Sequence, residues 1–284
     1  MTLALAVGFG LVIGLTLGAL GGGGSILTVP ALVYAVGETA RSATTDSLII
    51  VGLTAGVATL GHARAGRVRW GAGLAFGVAG IAASFAGTAL NARVDPKVLL
   101  VCFATLMIVA AAAMLAKTTV HTHPEDDPGA GSPADLDEQA AALRRPGTLT
   151  GVRPVRTAAP RLSVAVAIRV VLAGLVVGFL TGFLGVGGGF IIVPALVLTL
   201  RYDMPTAVGT SLLIISVNSG VALLARSGQQ HFHWAVIAPF TLAAIAGSSA
   251  GKRVADRVSS AQLTRAFAVL LLAVASYVLL RAIG

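Results

Sequence analysis

Leu20-Gly21-Gly22-Gly23-Gly24-Ser25-Ile26-Leu27-Thr28-Val29-Pro30-Ala31-Leu32-Val33 returns 164 residues later as Leu184-Gly185-Val186-Gly187-Gly188-Gly189-Phe190-Ile191-Ile192-Val193-Pro194-Ala195-Leu196-Val197. Each is an apolar run that stops at glycines and restarts toward a proline. The same offset, without a gap, pairs Gly10, Gly14 and Gly18 with Gly174, Gly178 and Gly182. It also pairs Ser47-Leu48 with Ser211-Leu212, Trp70 with Trp234, Ser84 with Ser248 and Phe103 with Phe267. A single offset holding over so long a stretch marks an internal repeat. The expected organisation is a first copy at 1–116, a polar, flexible linker at 117–163 and a second copy at 164–284.

The composition is that of an integral membrane protein: 56% hydrophobic, 11% charged, with a mean hydropathy of +0.91. Long apolar runs such as Val98 to Ala116 and Leu263 to Leu280 predict helices rather than the alternating strands of a barrel. The fold class is therefore an all-α polytopic membrane protein. The net charge of +9 comes from Arg and Lys in short loops, which fits the positive-inside bias and not nucleic-acid binding. The opening Met1-Thr2-Leu3-Ala4-Leu5 lacks the basic start of a signal peptide, so the first run is expected to be a retained span in the cell inner membrane. Cys102, in an apolar run, is expected to be a small core residue.

Each copy contains five apolar segments, which gives eight to ten spans depending on whether the short second segments, 26–36 and 190–200, cross. If all cross, Arg64, Arg67, Arg69, Lys117, the linker arginines, Arg169, Arg201, Lys252, Arg253, Arg257 and Arg265 share one side. Only Arg41, Arg93, Lys97, Arg226 and Arg281 remain on the other. The richer side, with the linker, is expected to be cytoplasmic, and the second copy is expected to be inverted relative to the first. If the short segments do not cross, the copies are parallel.

Interrupted helices at matching positions of two repeats point to a transporter's binding site. A helix beginning inside the membrane leaves its first N–H groups unpaired, with partial positive charge from the peptide dipoles. Consecutive glycines weaken a helix by about 1 kcal/mol each, so Gly21, Gly22, Gly23 and Gly24, with Gly185, Gly187, Gly188 and Gly189, are candidate anion-binding backbone. Ser25, Ser47, Thr210, Ser211 and Asn218 add hydroxyls and an amide. Gly10, Gly14, Gly18 and their copies, at small-xxx-small spacing, are expected to pack helices. Pro30 and Pro194 are read either as gating elements or as tolerated kinks. Asp46 stands where the second copy has Thr210 and is either a proton-coupling acid or an N-cap. Trp70 and Trp234 are expected to be interface anchors, and His62, His231 and His233 loop residues rather than ligands. The stretch from His121 to Asp127 reads as solvated linker rather than metal site, and no metal or cofactor is expected.

The run Gly178-Phe179-Leu180-Thr181-Gly182-Phe183-Leu184-Gly185-Val186-Gly187-Gly188-Gly189-Phe190-Ile191-Ile192-Val193-Pro194-Ala195-Leu196, followed by Ala207-Val208-Gly209-Thr210-Ser211-Leu212, resembles the TauE/SafE family of membrane permeases, also called the sulfite exporter or toluene-sulfonate uptake permease family. The first copy is looser, with Thr45-Asp46-Ser47 where the family more usually has Gly-Thr-Ser. The resemblance implies a permease for small sulfur-containing anions such as sulfite or organosulfonates, working outward and driven by the proton gradient. The expected partners are a small anionic substrate and the lipid bilayer. The sequence leaves a homo-oligomer open.

Uptake, a different solute or a cation, and a non-transporting membrane sensor or interaction protein remain alternatives. No His-Glu-x-x-His motif and no Ser/His or Cys/His pairing placed in spans supports an enzyme.

Overall fold

The computed structural model describes residues 2–91, 93–120, 164–184, 189–225 and 232–283. The described residues form ten α-helices: α1 Thr2–Leu20, α2 Gly23–Pro30, α3 Ala40–Arg64, α4 Trp70–Asn91, α5 Pro96–Val120, α6 Val164–Leu184, α7 Gly189–Leu198, α8 Met204–Ala225, α9 Trp234–Ala255 and α10 Ser260–Ile283. A π-helical stretch, Ala31–Val36, continues α2. Seven of the helices are long and apolar enough to cross a membrane, and α1, α2 and α7 are shorter apolar helices. Large apolar side chains such as Val78, Phe85, Leu172, Val176 and Leu242 are left on the outer surface, as a bilayer solvent allows. The protein is a multi-pass helical membrane protein. The linker, including His121 to Asp127, lies largely outside the described residues; its first residues, Lys117 to Val120, prolong α5.

Local chemistry sets several boundaries. The Thr39 side chain accepts a hydrogen bond from the Ser42 amide at 3.3 Å and caps α3. At α10, Ser259 and Gln262 make a reciprocal capping box, with bonds of 3.1 and 3.2 Å. The π-helical stretch ends at Gly37, with φ 86°, and the position 164 residues on, Arg201, takes the same left-handed backbone with φ 55°. Both copies thus turn in the same way after their short second helix, the second without glycine's freedom.

Helix packing repeats with the same offset. α1 lies along α9, where Gly10 faces Phe240, Gly14 faces Ala244 and Gly18 faces Ser248. α6 lies along α4 in the same register: Gly174 faces Phe76, Gly178 faces Gly80 and Gly182 faces Ser84. A Cβ at Gly10 would come 2.7 Å from the Phe240 oxygen, and one at Gly174 would come 2.6 Å from the Phe76 oxygen. At Gly14, Gly18, Gly178 and Gly182 an added Cβ would overlap the neighbouring backbone outright. Small residues therefore admit direct contact between backbones, as their spacing predicts.

The chain directions follow from contacts. α1 and α9 run the same way, as do α4 and α6, because their contact numbers rise together. The equivalent helices α3 and α8 run in opposite directions: Gly52 meets Ser219 while Gly56 meets Ser216, and the Ser216 hydroxyl donates to the Gly52 carbonyl at 3.2 Å. His62, near the end of α3, reaches the Gly18 carbonyl near the end of α1 at 3.2 Å. Hence α1 and α3 run alike, and α2 with its π-helical continuation carries the chain back between them.

Three expectations change. Cys102 is exposed on the outer surface, since its run is a lipid-facing helix with only one buried stripe. His62 is not a loop residue: it lies in the last turn of α3 and is buried, because the helix extends to Arg64. Asp46 is not an N-cap, because Thr39 caps α3 and Asp46 falls in the second turn.

The glycine contacts have a direct test. Gly14→Val and Gly178→Val should each destabilise the purified protein by about 1–3 kcal/mol or more, seen as a lower melting temperature in detergent. Gly8→Ala and Gly220→Ala, where nothing lies within 4 Å of the new methyl, should not. Equal effects at all four positions would contradict the packing.

Candidate functional site

The first glycine break lies against the start of α7. After α1, Gly21 takes φ 79°, and its amide still reaches the Leu17 carbonyl at 2.8 Å. That left-handed residue turns the chain so that α2 starts at Gly23. Gly22 lies against Gly189, the first residue of α7: a Cβ at Gly22 would overlap the Gly189 carbonyl, and one at Gly189 would overlap the Ser25 hydroxyl. Gly21 in turn faces Ser211 and Val208 on α8, with an added Cβ 2.5 Å from the Ser211 hydroxyl. Gly21, Gly22, Gly23, Gly24 and Gly189 are all buried in protein, not on the outer surface. Backbone touches backbone here, so this arrangement is closed between Gly22 and Gly189.

Of the other residues expected at the site, the structure brings some to the breaks and sends others elsewhere. Ser25 is at the junction, its hydroxyl donating to the Gly22 carbonyl at 2.8 Å. Ser211 is buried beside Gly21 and donates to the Val208 carbonyl at 2.8 Å. Ser47 is buried and donates to the Thr44 carbonyl at 2.8 Å. Thr210 turns toward α4, where its hydroxyl accepts from the Arg69 amide at 3.2 Å. Asn218 lies two turns further along α8, its Oδ1 3.5 Å from where a Cβ at Gly77 would be, and that buried oxygen has no hydrogen bond. Gly185, Gly187, Gly188 and His231 lie outside the described residues. Pro30 is exposed at the end of α2, where the winding widens to π, whereas Pro194 is buried within α7.

A polar cluster not foreseen as such lies at the start of α3. The carboxylates of Glu38 and Asp46 and the imidazole of His233 hold ligand-type atoms within 4.8 Å of one another. His233 Nδ1 is 3.4 Å from Asp46 Oδ2 and 3.9 Å from Glu38 Oε1. The side chains of Asp46 and Glu38 are only 1% and 7% exposed, while that of His233 is 53% exposed. Neither Glu38 oxygen nor Asp46 Oδ2 has a hydrogen-bond partner. Glu38 sits in the turn after the π-helical stretch, Asp46 on α3, and His233 just before α9, where its carbonyl accepts from the amides of Val236 and Ile237. The cluster therefore joins the first copy to the second.

Among the described residues, the copies also meet through Asp256, which follows α9. It pairs with Arg67 in the loop between α3 and α4, and with Lys252 at 2.8 Å. The Lys252 hydrogen bond, and after it Arg67, hold the Asp256 carboxyl below its ordinary value.

The family model described as "Sulfite exporter TauE/SafE" matches residues 6–278, which takes in both copies. The chain belongs to the TauE/SafE family. A "probable membrane transporter protein" of Xylella fastidiosa strain 9a5c is 30% identical, over 99% of this chain and 96% of that one. The "probable membrane transporter protein YunE" of Bacillus subtilis is 24% identical, over 95% of this chain and 93% of that one. No solved structure matches the chain. As a TauE/SafE member with seven spanning-length apolar helices, the protein is a membrane permease.

Burial, first of all, and then the neighbouring Asp46 charge raise the Glu38 carboxyl from 4.5 to about 7, with His233 opposing. The folded protein therefore holds this proton more tightly than the unfolded chain. The resulting stability is present below pH 4.5 and is lost as pH rises through about 7. The melting temperature should fall between about pH 5 and about pH 8, and Glu38→Gln should flatten that slope. An unchanged slope in the variant would contradict this assignment.

Proposed function

We propose that this protein is a secondary transporter that moves a small sulfur-containing anion, such as sulfite or an organosulfonate, outward across the inner membrane with proton coupling. The observation that carries the reading is the buried meeting of Gly21 and Gly22 with Gly189 at the ends of two interrupted helices. Helix starts present backbone N–H groups and partial positive charge, and glycines let a bound oxyanion approach them. The family's description as sulfite exporters supports the substrate class. We infer further that the two copies are inverted, a reading supported by the opposed directions of α3 and α8. Rocking one copy against the other would then open the closed Gly22–Gly189 contact to either side in turn.

In this reading Ser25 and Ser211 are the hydroxyls nearest the breaks, and Ser47 is the counterpart of Ser211 by the repeat. Asp46 is the acid that would carry the coupled proton. Its burial, with Oδ2 outside any hydrogen bond and only the imidazole of His233 beside it at 3.4 Å, makes its charge costly to hold, which is the property a proton carrier needs.

The test is flux into proteoliposomes of radiolabelled sulfite, an organosulfonate and, as a control, a divalent metal ion, with and without an imposed pH gradient. Sulfite or sulfonate should move and should respond to the gradient. Gly22→Val should lower flux at least about tenfold, since about 1.4 kcal/mol of misfit in one state suffices for that. Asp46→Asn should abolish the response to the gradient while leaving exchange of anion for anion. No anion movement by a well-folded protein would overturn the proposal, and movement of the metal ion alone would favour a cation carrier.

A further inference from the structure

The cluster of Glu38, Asp46 and His233 has a counterpart that explains its chemistry. Applying the offset of 164 to these positions gives Tyr202, Thr210 and Arg69. None of these three positions is an acid, although Asp203 follows Tyr202, and an arginine stands where the first place has a histidine. Arg69 lies next to Thr210, its amide bonded to the Thr210 hydroxyl at 3.2 Å, and close enough to Tyr202 for its charge to act on that phenol. The second place thus carries its own fixed positive charge. The first has two buried carboxyl groups, an imidazole and no fixed cation among these three positions.

We propose that Glu38, Asp46 and His233 bind a divalent transition-metal cation of the zinc type, which bridges the two copies. Two observations beyond the presence of acids point to a ligand. The carboxylates are more than nine-tenths buried, and three of their four oxygens lack hydrogen bonds, an arrangement that is expensive unless something compensates the charge. In addition, His233 Nδ1 lies 3.4 and 3.9 Å from the two carboxylate oxygens. Ligands at about 2.0–2.2 Å from a tetrahedral ion are separated by about 3.3–3.6 Å, so small side-chain movements suffice to close the three around one ion.

The donor set selects the metal class. One imidazole nitrogen with two carboxylate oxygens suits zinc, iron or manganese, whereas calcium and magnesium prefer all-oxygen shells with more ligands. The half-exposed His233 side provides the access route and leaves a fourth position to water. Because His233 immediately precedes α9, the ion would fasten the start of that helix to the start of α3. Metal and proton compete for the same carboxylate oxygens, so the ion would clamp the copies, as a ligand and not as cargo, only while Glu38 and Asp46 are deprotonated.

The proposal shares Asp46 with the proton-coupling reading, so its test measures binding and not flux. Untagged full-length protein in detergent, stripped with a chelator, is titrated with Zn2+ by calorimetry and with Co2+ by visible absorption. The expected result is one equivalent of metal, with affinity lowered at least about tenfold in each of Asp46→Asn, Glu38→Gln and His233→Gln. Should a variant not purify as a single species, the wild type alone decides: Zn2+ should protect His233 from diethylpyrocarbonate, read by mass spectrometry of the modified peptide. Absence of stoichiometric binding, affinity unchanged in the variants, or equal labelling of His233 with and without Zn2+ would each overturn the site. A protein that binds Zn2+ but moves no anion would sink the transport reading and leave this one standing.

Discussion

Everything in this molecule depends on backbones approaching more closely than a Cβ would permit. In a bilayer the apolar solvent gives helices no hydrophobic reason to associate, so packing and close contact must hold them. Glycines at Gly14, Gly18, Gly178 and Gly182 bring α1 onto α9 and α6 onto α4 until only a hydrogen atom separates side from carbonyl. Each pair joins the first helix of one copy to the fourth of the other. The copies are thereby laced together.

The same residue type serves a second purpose at the breaks. Gly21 turns with a positive φ, and Gly22 and Gly189 touch, so the interrupted helices meet inside protein where an unpaired backbone can be tolerated. Their environment is not identical in the two copies. Ser25 stands against Gly189, Pro30 is followed by π-helical winding while Pro194 is not, and Asp46 replaces the hydroxyl of Thr210. The polar groups around the breaks are thus unequal in the two copies.

Much of this was legible in the sequence because the repeat is gapless. The offset located the breaks, and the spacing of Gly10, Gly14 and Gly18 showed which glycines pack helices. Among the described residues, Gly22 lies against Gly189, whereas Gly185, Gly187 and Gly188 lie outside them. What was missed has physical causes. The stretch Ala40–Thr45 is polar and reads as a loop, yet Thr39 caps a helix there, which carries Asp46 from a terminus into a buried turn. His233 and Glu38 are far apart in sequence and each alone resembles an ordinary loop residue. The repeat's own positions carry Glu38 against Tyr202 and His233 against Arg69, but the surrounding turns share little beyond Trp70 and Trp234, so the swap does not stand out.

The central claim is that the junction of the two breaks is a solute site opened by movement between the copies. The most direct measurement is thiol accessibility at Ser25, which sits half-buried at that junction. With Cys102 replaced by Ala, Ser25→Cys is exposed to a membrane-impermeant thiol reagent in right-side-out and in inside-out vesicles. The account predicts modification from both sides, slowed by sulfite in each. A thiol that reacts from neither side, or from one side without any effect of sulfite, would contradict it.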